Sequence, residues 1–164
     1  MDSYRFLDFI TRQVMKAWVE RERPRPIPWT PLAKPLARSR IALVSSAGIA
    51  LKTDTPFDQE GERKNPWWGD PSFRVVPHGA TAADVRLYHL HIDTRFGEED
   101  LDVVLPAQRL AERVRDGVVG GAARSHYSIM GYILRPQELE EVTAPAIAAR
   151  MKEEGVDAAV LVPG

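Results

Sequence analysis

Residues 38–51 read RSRIALVSSAGIAL. A basic, polar start gives way to Ile41, Ala42, Leu43 and Val44, four apolar residues in a row. A strand with one wet face alternates apolar and polar residues, whereas a strand of a parallel sheet, covered on both faces, need not. The run therefore reads as a buried strand, and Ser45, Ser46 and Gly48 mark its carboxyl end.

Two shorter segments, FRVVPH and VRLYHLHI, fit strands near residues 74 and 86. EEDLDVVLPAQRLAERVRDG holds a helix expected over 102–116, with Leu110 and Val114 on its apolar side and a stop at Gly117. RPQELEEVTAPAIAARMKEEG holds another over 137–154, stopping at Gly155. The apolar run at 158–162 is then a strand, expected in one sheet with residues 41–44 and internal to it or beside the functional crevice. This interleaving predicts the α/β class: a layered, largely parallel sheet with flanking helices, Rossmann-like, incomplete at its carboxyl end. The polar stretch 52–72 is expected to be a long surface loop.

Upstream, Phe6, Ile10, Val14 and Val19 recur at three- and four-residue spacing among Arg and Glu, which predicts an amphipathic helix over 1–22. Five prolines from Pro24 to Pro35 remove backbone donors and fix φ, so 23–38 is an extended connector. Residues 39–164 form the α/β domain, with its carboxyl-terminal part expected to lie beyond Gly164.

With 44% apolar and 27% charged residues in 164, the composition is that of one soluble globular domain. A formal charge of −1 gives no electrostatic basis for binding nucleic acid or an anionic membrane. No apolar run approaches the ~20 residues of a membrane span, and the amino terminus lacks the basic start and apolar core of a signal peptide. The cytoplasm is the expected compartment. There is no cysteine, so a thiolate metal ligand, a disulfide or a cysteine nucleophile is excluded within these residues.

Three motifs carry candidate chemistry. In YHLHID, His89, His91 and Asp93 are spaced by two, so on a strand they share one face, suited either to a divalent metal or to a polar substrate. In LVSSAG, Ser45, Ser46 and backbone N–H groups can cradle a carboxylate or phosphate, or simply form a turn. In GGAARSHYSIMGYI, His126 and Ser128 follow paired glycines that permit close backbone approach, and can donate to a carboxylate or fill a strand corner. Trp67 and Trp68 are local loop packing or a partner surface.

The stretches PWTPLAKPLARSRIALVSSAGIALKTDTPFD, GDPSFRVVPH, LYHLHIDTRFGEEDLDVVLPAQRLAERVRDGVVGG, HYSIMGYI and APAIAARMKEEGVDAAVLVP resemble the glycine/sarcosine/betaine reductase selenoprotein B family, in its shorter D-proline-reductase-like branch. The resemblance covers roughly residues 28–164, and HIDTR and HYSIMG are its most specific parts. In that family the last strand leads into a selenocysteine, sometimes a cysteine, at the head of a helix. The resemblance thus implies an oxidoreductase subunit with no catalytic residue of its own up to Gly164, truncated at a UGA selenocysteine codon and inactive in this form.

The implied reaction is reductive C–N cleavage of a small amino-acid-like substrate. A pyruvoyl group on a partner subunit holds the substrate amine as a Schiff base, a selenolate attacks the α-carbon, and a thiol reductant resets the selenium; the chain itself carries no cofactor and no metal. By position, Ser45, Ser46, His89, His91, Asp93, His126 and Ser128 are the implied substrate-binding residues. Ser45, Ser46, His126 and Gly164 are expected around one cleft, with His89 or His91 facing it. Two other readings stay open on the residues alone: a metal-dependent hydrolase using His89, His91 and Asp93, and a non-catalytic small-molecule binding module.

Overall fold

The computed structural model of the protein describes residues 8–21, 26, 29–65 and 68–164. They fall into two compact units, Met1–Pro31 and Leu32–Gly164. The first holds α1 (Phe9–Arg21). Asp8 caps it, its Oδ1 accepting from the N–H groups of Ile10 and Thr11 at 3.0 Å each. Ile10, Val14 and Val19 lie exposed on this helix. Phe6 of the expected helix, and the connector residues 23–25 and 27–28, lie outside the described residues.

The second unit runs β1 (Arg40–Ser45), β2 (Ile49–Leu51), α2 (Gln59–Lys64), β3 (Arg74–Pro77), β4 (Val85–Leu87), α3 (Arg95–Glu99), α4 (Ala107–Arg115), β5 (Gly121–Ala122), β6 (Ser125–Ser128), α5 (Ala144–Glu153) and β7 (Ala158–Val162). Its class is α/β, a mixed and largely parallel sheet with flanking helices. β1 is the centre: β5 and β6 run parallel to its two ends, and β7 runs parallel along Ile41 to Ser45 in register with Ala158 to Val162. β3 lies antiparallel to β6. The two apolar runs thus share one sheet, as expected. Among the described residues β7 pairs with β1 alone, so it is an edge strand rather than an internal one, with Val160 48% and Leu161 75% exposed.

The apolar runs explain the core. Ile41 and Leu43 of β1, Ile49, Val76, Val85, Leu87, the segment holding Leu101, Val104 and Leu105, and Ala107 and Leu110 of α4 form one buried cluster. α4 begins at Ala107 rather than near 102 because Pro106 stands at its N-cap and the Asp102 carboxylate takes the N–H groups of Gln108 and Arg109 at 2.9 and 3.1 Å. The last helix opens as one wide turn, Leu139–Thr143. Pro145 has no N–H to return to the preceding turn, and the widened turn absorbs that loss.

Two elements depart from the sequence reading. VRLYHLHI is a strand only over β4, which pairs antiparallel with β2 (Ile49 opposite Leu87) in a separate two-stranded sheet. Gly48, at φ 63°, turns the chain out of β1 into β2, so β2 and its partner leave the main sheet. The stretch 52–72 is not merely a surface loop: it contains α2, whose Asp58 N-cap accepts from Gly61 N–H at 2.8 Å, and it buries Glu62 and Asp70. Among the described residues no helix is long and apolar enough to cross a membrane.

Candidate functional site

The carboxyl ends of β1 and β7 meet at Ser46. Its N–H donates to Val162 O at 3.0 Å, and its Oγ accepts from Gly164 N–H at 2.9 Å. On the other edge of β1, Ile129 N–H donates to Ser45 O at 2.9 Å and Gly48 N–H donates to Ile129 O at 3.0 Å. Strand ends of this kind gather loops and free backbone groups, the usual setting of a ligand crevice in an α/β sheet.

Gly131 closes the same corner. A Cβ on it would stand 2.5 Å from His89 Nε2 and 2.8 Å from Ser46 O, so only glycine lets the His89 ring and the Ser46 carbonyl approach from two sides. His89 is buried, and its Nδ1 accepts from His91 N–H at 3.1 Å. That bond leaves the neutral ring's proton on Nε2, toward Gly131. Burial, with His91 adding to it, pushes the His89 pKa down.

The turn after β4 puts His91 elsewhere than a strand would. Its half-exposed ring lies 4.3 Å from the Tyr132 ring and edge-on to His89 at 5.9 Å. Its Nε2 meets Glu62 Oε1 at 3.1 Å. Glu62 is 3% exposed, and its Oε2 has no hydrogen-bond partner among the described residues. Burial pushes its carboxyl pKa up, against the opposing pull of His91 and Arg63. Gln59, on the same face of α2 three residues earlier, donates from Nε2 to Tyr88 O at 2.6 Å. α2 therefore straps the segment that carries both histidines.

Other predicted site residues are engaged by the backbone. Ser45 Oγ accepts from Ala47 N–H at 3.2 Å, and Ser128 Oγ accepts from Ile49 N–H at 2.7 Å; both serines are fully buried. His126 lies below them within the sheet: Nδ1 accepts from Leu43 N–H at 3.1 Å and Nε2 meets His78 Nδ1 at 2.8 Å. Since Nδ1 is an acceptor, the proton sits on Nε2 and is donated to His78. Burial, then His78, depresses the His126 pKa to about 4. Asp93 lies beyond the turn and pairs with Arg95 at 2.6 Å, which holds its carboxyl at about 2.

The structure thus brings Ser45, Ser46, Ser128, His89 and Gly164 to one end of the sheet, with His91 one ring behind. Asp93 is not on a shared strand face with the histidines, and among the described residues no group of three or more His, Cys, Asp or Glu side chains is placed to hold a metal ion. Glu62 escaped the sequence reading, since nothing in DQEGERK distinguishes a buried glutamate from the exposed Glu60 beside it. Trp68 packs locally against Gly61; Trp67 lies outside the described residues.

A family model described as glycine/sarcosine/betaine reductase selenoprotein B matches residues 9–163. The chain is 33% identical over 141 residues to the D-proline reductase subunit gamma of Acetoanaerobium sticklandii, covering 86% of this chain and 54% of that one. It is 28% identical over 161 residues to the glycine reductase complex component B subunit gamma of Carboxydothermus hydrogenoformans, covering 96% of this chain and 36% of that one. It therefore spans about half the length of the first relative and about a third of the second. No solved structure matches.

Proposed function

Because the chain belongs to the glycine/sarcosine/betaine reductase selenoprotein B family, we propose that it is the part of a reductase subunit that builds the pocket for reductive C–N cleavage. The substrate is a small amino acid or N-substituted amino acid, and a selenocysteine or cysteine directly after Gly164 is the nucleophile. The observation that supports this most is the junction of Gly164 with Ser46 at the carboxyl ends of two paired parallel strands, with Gly131 and His89 against it. A residue following Gly164 starts from that junction.

A pyruvoyl carbonyl on a partner subunit would hold the substrate amine and make the α-carbon electrophilic. As a carbon–selenium bond forms there, the C–N bond breaks, and its electron pair and a proton end on nitrogen. The two electrons of the net reduction come from a pair of thiols that finish as a disulfide. The residues of this chain bind and orient. Ser46 anchors the strand end, while Ser45, Ser128 and His126 fix the backbone around it. His89 and His91 present polar ring edges to an amino acid's carboxylate.

The test begins with the nucleotides that follow the Gly164 codon in the gene. UGA or a cysteine codon, followed by an open frame, is expected. The whole enzyme, combined with its partner subunit and a dithiol, should then release an amine-bearing reduced product from D-proline or ammonia from glycine. Replacing the nucleophile by serine should abolish turnover. A different stop codon with no continuing frame, or turnover that survives the serine substitution, overturns the reading.

A further inference from the structure

Two carboxylates are buried among the described residues, Glu62 and Asp70. Asp70 is saturated: it accepts from the N–H groups of Asp58 and Ser72 at 2.9 Å each and from the Ser72 hydroxyl. Glu62 is not. Its Oε1 meets His91 Nε2 at 3.1 Å, and Oε2 has no hydrogen-bond partner among the described residues. A buried carboxylate left half unsatisfied destabilises a fold, and groups of this kind concentrate where chemistry uses them. The His91 ring is half open to solvent, whereas Glu62 is shut away. The His91 ring stands edge-on to His89 at 5.9 Å, and His89 lies against the Gly131–Ser46 corner.

We propose that Glu62 and His91 form a proton-carrying pair of the cleft, in which His91 gives a proton to the nitrogen that leaves during C–N cleavage and Glu62 positions its ring. The inference rests on the reductive-cleavage reading above and names a further group for that reaction. The loaded pair holds two protons, one on the Oε1···Nε2 axis and one on His91 Nδ1. As the C–N bond breaks, its electron pair passes to nitrogen, which takes the Nδ1 proton. The axis proton stays on Nε2, leaving a neutral imidazole facing the Glu62 carboxylate, and solvent reloads the exposed ring. The substrate class is an α-amino acid whose own amine, primary or secondary, is the leaving group.

The surroundings of Glu62 favour a proton on the Oε1···Nε2 axis. Burial disfavours an ionised Glu62, and Asp70 pushes in the same direction; His91 and Arg63 oppose. With two protons the pair is neutral, so no bare charge is left in the buried part. His89 does not compete as the donor: burial lowers its basicity and keeps the ring neutral with its single proton on Nε2, and giving that proton up would leave an imidazolate.

The test uses the whole enzyme with its partner subunit. Nitrogen-15 NMR of imidazole-labelled protein should show His91 protonated at Nε2 in its neutral form, and mixed tautomers in Glu62→Gln. Glu62→Gln and His91→Gln should each lower kcat about 10²-fold with KM little changed, and flatten the pH dependence of kcat. Glu62→Asp should restore part of the rate. Mixed His91 tautomers in the unmodified protein overturn the pair. So does a wild-type kcat and pH profile in Glu62→Gln. If the unmodified enzyme cleaves no C–N bond, the functional reading fails and the tautomer measurement alone decides the pair. If cleavage proceeds and these variants leave it untouched, the pair fails and the functional reading stands.

Discussion

His126 accepts the Leu43 N–H on Nδ1 at 3.1 Å, and so a side chain occupies a rung of the ladder between β1 and the strands beside it. β5 ends at Ala122 and β6 begins at Ser125, which leaves Leu43 without a carbonyl opposite. The ring can fill that place only while neutral at Nδ1.

A pH dependence follows from this bond. The folded pKa of about 4 lies below the ordinary 6.5, so above 6.5 both folded and unfolded states are neutral here and the contribution is full. As pH falls from about 6.5 to about 4, the unfolded chain binds a proton that the folded one refuses. Stability should drop by about 3 kcal/mol across that window. Urea unfolding between pH 4 and 7.5 measures it, and His126→Asn should flatten the dependence. An unchanged slope in that variant would place the proton uptake elsewhere.

Glu62 titrates in the opposite sense. A carboxyl whose folded pKa is raised favours the folded state at low pH, and that contribution is lost as pH rises through the raised value. Glu62→Gln should therefore be more stable than the unmodified protein once pH exceeds that raised value, by about 1 kcal/mol, since it removes a charge from a half-unsatisfied buried site. A denaturant midpoint that rises with an unchanged m-value checks this. A fall in midpoint would mean that the carboxylate is a net structural contributor.

The sheet was legible because its central strands are runs of apolar residues without polar alternation: 41–44 are buried in β1, 158–162 carry the same pattern on the more exposed β7, and the two share one sheet as read. The serine cluster was legible for a related reason, since polar residues directly after such a run mark a strand end. The histidine geometry was not. Period-two spacing in YHLHID implies one face only if the strand continues, and it stops at Leu87 because Gly48 has drawn β2 aside and the chain must turn toward α3. Glu62 was hidden for a tertiary reason: its burial comes from α2 lying on the turn at His91, a contact 29 residues away in sequence. His126 reads locally as a polar strand residue, and only the gap opposite Leu43 turns it into a backbone acceptor.

Gly131 and Gly121 make a matched pair. A methyl on Gly131 would meet His89 Nε2 and the Ser46 carbonyl at 2.5 and 2.8 Å, whereas one on Gly121 meets nothing within 4 Å. Gly131→Ala should cost about 1–3 kcal/mol, as overpacking of a closed site does, and reduce turnover by displacing His89. Gly121→Ala should stay within about 0.5 kcal/mol of the parent. Thermal unfolding of both variants and turnover of the enzyme carrying Gly131→Ala test this, and equal stability would show that the His89 corner yields freely.

Ser46 and Ser128 separate positioning from folding. Both hydroxyls accept a backbone N–H, from Gly164 at 2.9 Å and from Ile49 at 2.7 Å. Ile49 and Ser128 are fully buried, so Ser128→Ala strands a donor that water cannot reach and should cost about 1–3 kcal/mol. Ser46 is half-buried and Gly164 exposed, so water can replace the hydroxyl; Ser46→Ala should cost under about 1 kcal/mol. Turnover should respond in the reverse order. Loss of the Ser46 contact frees the strand end from which the nucleophile would be placed, and small misplacements of a reacting group lower rates by up to about 10²-fold. Chemical denaturation of both variants, set beside kcat of the whole enzyme at matched folded fraction, gives the comparison. If Ser46→Ala keeps full kcat while Ser128→Ala loses it at the same folded fraction, Gly164 is not where the reacting group is held.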